Sequence, residues 1–203
     1  HSVRVLDKIF PYNISLQTLN GIASHDGEME LCEYHPKPCI SFADFDREIE
    51  ECYIDKSNVR RLAPSTLEGC VMRISDIIAY LGKDRQDAVK IGLVNDTEQS
   101  YQKSKIGNQN AEIINNMIVN IVENSYGKPY LKMEDDYFEA FSSGKKENYE
   151  IIYRADKVED VYTNGVHPMM EQIYERMLAD AKSHNKDSFL YKHHIDYIKN
   201  LTK

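Results

Sequence analysis

Residues 64–89 constrain the fold more than any other stretch, because their pattern predicts one long amphipathic helix. At about 100° per residue, the apolar side chains fall on one face: Leu67, Cys70, Val71, Ile74, Ile78, Leu81, Ala88 and Val89. The opposite face collects side chains that can carry chemistry: Arg73, Asp76, Tyr80, Lys83, Asp84 and Asp87. Pro64 disfavours a helix before it, so Ser65 is the expected N-cap and Glu68 completes a capping box.

The polar face of this helix has two interpretations. It is either a solvated face with ion pairs, such as Asp76 with Lys83, or a face that carries a functional site. Periodicity does not distinguish the two interpretations, because both require polar residues at the same helical spacing. Gly82 costs a helix only about 1 kcal/mol, so the helix is predicted to continue to about Leu93.

Composition excludes several classes of protein. The net charge of −8 does not indicate binding to nucleic acid or to acidic membranes. No apolar run approaches the ~20 residues that span a membrane, and the N-terminal residues lack a signal-peptide pattern. The expected location is therefore cytoplasmic.

The cysteines are expected to be reduced structural thiols, since none of them forms a CxxC pair. Cys32, Cys39 and Cys52, together with His35, form an alternative zinc-ligand set. Their spacing matches no standard zinc motif, so a proline-rich surface loop is favoured for residues 29–41.

The rest of the chain predicts an all-α, multi-helix bundle. One helix is capped by Ser15 and ended by Gly27, and no strand-length alternation is present. Further helices are predicted at residues 2–10, 42–53, 111–122, 135–141, 149–162, 168–181 and 189–201. Residues 95–108 are poor in large apolar side chains and predict a linker or mobile loop. It would separate domains at residues 1–94 and 109–203.

The segment EGCVMRISDIIAYLGKDRQDA at residues 68–88 resembles the pattern around the last metal aspartate of HD-domain deoxynucleoside triphosphate triphosphohydrolases, the dGTPase-like family. HSVRVLDKI at the start, LQTLNGIASHDGE, SYGKPYLKMEDDYFEAF and NYEIIY resemble further landmarks of the family. The resemblance implies that residues 1–94 are the C-terminal helices of an HD-type domain.

On this resemblance, Asp76 matches the carboxylate that closes the family's metal site. Tyr80 and Asp84 match its sugar contacts. Such a row at i, i+4 and i+8 drifts by only ~40° per step, so the three side chains line one wall. The implied function is hydrolysis of a dGTP-like nucleotide to deoxynucleoside and triphosphate. The implied cofactor is a divalent metal ion (Mg, Mn, Fe, Ni or Zn).

The other metal ligands have two possible locations. The family's first three ligands and its catalytic His and Glu should precede the helix matched by residues 2–9. The chain would then supply one wall of the site and be inactive alone. Alternatively, His1, His25 and Asp26 join Asp76, a set that suits a first-row divalent metal. The catalytic residues are not assigned by either reading.

Three further alternatives remain open. The chain could belong to another nucleotide phosphohydrolase of the HD superfamily, or act as a non-catalytic helical interaction domain. The resembled family is commonly oligomeric, so a homo-oligomer is expected. The apolar helix at residues 111–122 is the predicted subunit contact.

Overall fold

The computed structural model describes residues 2–9, 12–25, 30–38, 41–95 and 104–201. These residues are mostly helical, which confirms the predicted all-α class. By packing, the chain forms two compact units, His1–Ile152 and Tyr153–Lys203. The domain division at residues 95–108 stays a prediction, and much of that segment lies outside the described residues.

The first unit contains six α-helices among its described residues, and its other elements are short. The helices are α1 (Ser2–Arg4, continued by a π-helical turn at Val5–Ile9), α2 (Leu16–Ser24), α3 (Phe42–Ile54), α4 (Leu67–Lys90), α5 (Asn110–Ser125) and α6 (Asp135–Asn148). A 3-10 helix at Lys56–Arg61 leads towards α4, and a π-helical turn at Tyr149–Tyr153 follows α6.

The second unit is a short helical stretch with its own α- and π-helical segments. Its elements are α7 (Asp156–Val161), a π-helical turn (Tyr162–Val166), α8 (His167–Lys182), a second π-helical turn (Tyr191–Ile195) and α9 (Asp196–Leu201). The single helix predicted at residues 149–162 is wrong, because the chain is extended at Ala155, the N-cap of α7.

Two short strands accompany the helices of this all-α fold. β1 (Glu33–Tyr34) and β2 (Leu131–Lys132) pair antiparallel, with Tyr34 opposite Leu131. Each strand has only two residues, too few for an alternating pattern of apolar and polar side chains to be recognised in the sequence. The described part of the segment predicted as a loop at residues 29–41 is therefore paired, through β1, with the α5–α6 connection.

The predicted central helix is present as α4, and it packs against α2, α5 and α6. The core around it contains Tyr34, Cys70, Ile74, Ile78, Leu81, Ile106, Ile113, Met117, Met133 and Phe141. The predicted faces are only partly correct, because Val71 is exposed and Arg73 is buried. Packing by three neighbouring helices covers a wider arc of α4 than the apolar stripe alone.

The cap of α4 lies one residue later than predicted. Thr66 is the N-cap, and its hydroxyl accepts a hydrogen bond from Gly69 N at 3.1 Å. The Ser65 N–H is already bonded to Asn20 Oδ1 at 2.7 Å, while Asn20 Nδ2 donates to Ala63 O. Asn20 on α2 thus forms hydrogen bonds with the residues on both sides of Pro64, the proline that precedes α4.

Two other helix predictions are corrected by packing. α6 does not end at residues 142–144 but continues to Asn148, with Gly144 buried inside it. Burial of Phe141 and Asn148 on either side offsets the ~1 kcal/mol that glycine costs a helix. The helix predicted at residues 42–53 from its apolar residues Phe42, Phe45, Ile49, Cys52 and Tyr53 is present as α3, but of these Phe45 is buried while Phe42 and Tyr53 are exposed.

No helix in the described part of the chain combines the length and the apolar character that a membrane-spanning segment needs.

Candidate functional site

The predicted row of Asp76, Tyr80 and Asp84 lies on one side of α4. The helix is continuous through all three positions, so successive members are separated by one turn, a rise of about 6 Å. Asp76 and Asp84 are half-buried, and Tyr80 is 57% exposed. An accessible aromatic ring therefore lies between two partly shielded carboxyl groups.

Arg73, predicted to belong to this face, is a structural residue instead. Its side chain is only 3% exposed, and Nη1 donates to Leu62 O at 2.9 Å. Burial lowers the pKa of the Arg73 guanidinium, and the nearby Tyr34 and Cys70 side chains oppose that shift. Arginine still remains a cation, so Arg73 ties the segment before α4 to the helix itself.

The C-terminal part of the polar face, at Lys83, Asp87 and Lys90, is a solvated surface with ion pairs. Lys83 Nζ lies 2.6 Å from Asp87 Oδ1, and Lys90 Nζ lies 3.4 Å from the same atom. The hydrogen bond from Lys83 holds the pKa of the Asp87 carboxyl below its ordinary value. These residues are exposed, and such pairs contribute about 0–1 kcal/mol. They are surface ion pairs.

The contacts that join Leu81 and Arg85 of α4 to α6 were not predicted from the sequence. Arg85 is buried, and its Nη1 lies 3.0 Å from Glu147 Oε1 on α6. Asn148 Nδ2 donates to Leu81 O at 2.7 Å. The one available signal was the charge of Arg85 within the turn that carries the core residues Leu81 and Ala88. A charged residue there has to find a partner from another element.

The helix α5 approaches α4 closely at Gly82, within the turns that carry Tyr80 and Asp84. A Cβ added at Gly82 would lie 2.7 Å from Asn110 Cα, which is closer than real Cβ atoms come. Gly82 is therefore needed for the α4–α5 crossing, and it is more than a tolerated glycine. Gly82 lies two residues from both Tyr80 and Asp84, so the crossing is on the side of α4 that faces away from the row.

A separate cavity of about 290 Å³ lies where α1, α2, α3 and the 3-10 helix meet. Most of its lining is apolar, with His25, Cys52, Tyr53 and Lys56 as the more polar members. His25 Nδ1 lies 2.7 Å from Ile22 O. None of Asp76, Tyr80 and Asp84 lines this cavity, so it is distinct from the α4 row.

The described residues do not by themselves form a metal centre. No group of three or more His, Cys, Asp or Glu side chains able to hold an ion occurs in the part of the chain that the structure describes. His1 and Asp26, two members of the alternative ligand set, lie outside that part. Neither Asp76 nor His25 belongs to such a group among the described side chains.

The alternative zinc set is not assembled among the described side chains either. Cys32 Sγ donates to Met133 O at 3.3 Å and to Asp135 Oδ1 at 3.4 Å. His35 Nε2 lies 2.6 Å from Glu33 Oε1. Cys39, the fourth residue of interest, lies outside the described residues.

Comparison with known proteins gives three relatives with one shared description. No family model matches the chain, and no solved structure matches it significantly. A "Deoxyguanosinetriphosphate triphosphohydrolase-like protein" of Desulfatibacillum aliphaticivorans is 30% identical over 129 residues, covering 62% of this chain and 35% of the relative. A protein of the same description from Caldanaerobacter subterraneus is 33% identical over 95 residues, covering 46% of this chain and 28% of the relative.

A third relative of that description, from Clostridium perfringens, is 26% identical over 169 residues, covering 78% of this chain and 41% of the relative. The chain therefore spans about a third of the length of the curated relatives it matches. It is similar, over part of their length, to proteins described as dGTP triphosphohydrolase-like.

Proposed function

We propose that this chain supplies one wall of the active site of a deoxynucleoside triphosphate triphosphohydrolase. The observation that carries the proposal is the row of Asp76, Tyr80 and Asp84 on α4, within a chain similar to three dGTP triphosphohydrolase-like proteins. The substrate is a dGTP-like nucleotide, and the products are a deoxynucleoside and inorganic triphosphate.

The reaction requires one bond to form and one to break. Water adds to the α-phosphorus, the bond between that phosphorus and the 5′ oxygen breaks, and the 5′ oxygen leaves with a proton. Tyr80 presents its ring and hydroxyl to the deoxyribose, and the Asp84 carboxylate accepts a hydrogen bond from a sugar hydroxyl. These contacts hold the nucleotide in one orientation along α4.

The phosphates need positive charge, which the row of Asp76, Tyr80 and Asp84 does not carry. The chain carries a net charge of −8, and both carboxylates of the row repel a triphosphate. A divalent cation with Asp76 as one ligand supplies that charge. Its other ligands would be either His1, His25 and Asp26, or residues of the complete protein outside this chain.

Release of inorganic triphosphate from dGTP by the full-length protein tests the proposal. We expect Asp76→Ala to lower the rate by at least roughly 100-fold, because it removes an electrostatic element of the site. Glu68→Ala is the matched control, since it removes an exposed carboxylate from the same helix. It should retain activity within about twofold.

Two results would contradict this function. Activity that survives Asp76→Ala would remove Asp76 from the site. A deoxynucleoside product that retains a phosphate would assign the protein to the other nucleotide phosphohydrolases of the HD superfamily. The addition of a chelator, followed by restoration with single divalent metals, tests the cofactor separately.

A second candidate role is assembly into a homo-oligomer through α5. The predicted contact helix exposes Ile118 at 52% and Val122 at 53%, one turn apart on the same side. Its charged residues are Glu112 and Glu123, with no lysine or arginine between them. An apolar stripe of this kind, poor in charge, is typical of subunit contacts.

A further inference from the structure

The α4 turns that carry Tyr80 and Asp84 are held by two buried contacts from the end of α6. Asn148 is 3% exposed and donates from Nδ2 to Leu81 O at 2.7 Å. Its neighbour Glu147 pairs with Arg85 at 3.0 Å, and the two side chains are 25% and 10% exposed. Both contacts reach α4 immediately after a residue of the row.

The Asn148 contact is additional to the helix's own hydrogen bonding. A carbonyl at position 81 accepts the N–H of residue 85 in a regular α-helix and retains a second lone pair. Asn148 Nδ2 donates to that carbonyl from another element, in a setting shielded from water. Low local polarity strengthens such a bond and makes its loss costly. The bond therefore fixes the height and rotation of α4 at Leu81 relative to α6.

The N-terminal half of α4 has different anchors. The Thr66 cap and the Arg73 contact with Leu62 O hold the turns that lead to Asp76. The α6 contacts act one to two turns later, at Leu81 and Arg85. The two ends of the row are consequently held by independent sets of contacts.

We propose that Asn148, assisted by Glu147, is a positioning residue that sets the place of Tyr80 and Asp84 for recognition of the deoxyribose. The inference rests on the proposed function, because it assigns a purpose to the sugar-binding end of the row. Neither residue touches the nucleotide. They act through the α4 backbone, and Asp76 keeps its position when they are removed.

Steady-state kinetics of dGTP hydrolysis by the full-length protein distinguish positioning from ordinary packing. Asn148→Leu keeps the number of heavy atoms and the branching of the side chain and removes the donor. We expect KM for dGTP to rise about tenfold with kcat retained within about threefold, because the sugar contacts bind ground state and transition state alike. Equal losses in both parameters, or an unchanged KM, would overturn the proposal.

Asn120→Leu is the matched control. Asn120 is buried to the same degree, and its Oδ1 accepts from Glu134 N at 3.0 Å, a contact between α5 and the start of α6. This variant loses a comparable buried hydrogen bond that does not involve α4. Its KM should stay within about twofold of the wild-type value. A tenfold rise in KM in the control as well would show a general packing effect and overturn the proposal.

Hydrogen exchange provides a readout that does not depend on the reaction. Amides at residues 80–88 should exchange at least about tenfold faster in Asn148→Leu, while those at residues 67–76 keep the wild-type rate. Uniform acceleration along α4, or none, would overturn the positioning role. If the wild-type protein releases no triphosphate from dGTP, the proposed function fails. The exchange pattern still decides whether the α6 contacts hold this part of α4.

Discussion

At the scale of single residues, Asn20 shows how much of the fold depends on one amide side chain. It donates to Ala63 O at 3.2 Å and accepts from Ser65 N at 2.7 Å, and it is 3% exposed. Asn20→Ala leaves two backbone groups without that partner, so we expect a loss of about 1–3 kcal/mol in the free energy of unfolding.

Urea denaturation measures this loss. Asn115→Ala is the control, because Asn115 is an exposed residue of α5 and its removal should change stability by no more than about 0.5 kcal/mol. Equal stabilities of the two variants would show that the hydrogen bonds of Asn20 to the segment before α4 contribute nothing to the free energy of unfolding.

Gly82 gives a second test at this scale. Gly82→Ala places a Cβ against Asn110 at the α4–α5 crossing and should destabilise the protein by about 1–3 kcal/mol. Gly21→Ala, in α2, meets nothing within 4 Å and should be neutral or stabilising by up to about 1 kcal/mol. Thermal unfolding of both variants checks the contrast. A stabilised Gly82→Ala variant would mean that the helices do not cross closely there.

The limits of sequence reasoning are clearest at Arg73. An arginine on an amphipathic helix has the same periodicity whether its charge faces water or a buried carbonyl. Its surroundings include Leu62, in the segment just before α4, and Tyr34, which is distant in sequence. Asp76, Tyr80 and Asp84, by contrast, share one helix. Their common side was predictable from spacing, and their roles were implied by resemblance.

At the scale of elements, the long helix was predictable because its period, start signal and length agree. Its cap was misplaced by one residue, since Ser65 and Thr66 are equivalent in sequence and only the contact with Asn20 separates them. The end of α6 was misplaced for a related reason. Local propensity at residues 142–144 favours termination, but burial on both sides of Gly144 overrides it.

Removal of the two hydroxyl groups before α4, those of Ser65 and Thr66, should have different effects on stability. Thr66→Ala removes the bond to Gly69 N and should cost about 1 kcal/mol. Ser65 Oγ is buried and makes no hydrogen bond within the part of the chain that the structure describes, so Ser65→Ala should be neutral or stabilising. Urea midpoints of the two variants measure the difference. The reverse order would restore Ser65 as the cap.

At the scale of the whole molecule, the helical class was predictable, but the surroundings of the α4 row were not. Periodicity places side chains on one face of one helix, and it contains no information about which distant segment lies opposite. The α6 contacts at Leu81 and Arg85 join residues more than 60 positions apart. The ligands that would complete a metal site involve the same kind of long-range proximity.

Assembly is the prediction that belongs to this scale. If α5 forms the subunit contact, light scattering at two concentrations should show a mass that rises with concentration. Ile118→Lys should lower the mass at a fixed concentration, because a charge in an apolar interface has no partner. Glu123→Lys, an exposed change on the same helix outside the stripe, is the control. A mass unaffected by Ile118→Lys would exclude this helix as the contact.

The pairing of β1 with β2 also has a consequence for synthesis on the ribosome. Cys32 and Met133, which flank the paired strands, are 101 positions apart. At about 5–20 residues per second, the segment around Tyr34 waits roughly 5–20 s for its partner to be made. Tyr34 is 3% exposed in the folded protein, so its ring is without its final cover throughout that interval. Nascent chains that stop before β2 are therefore the forms in which we expect chaperone binding near Tyr34.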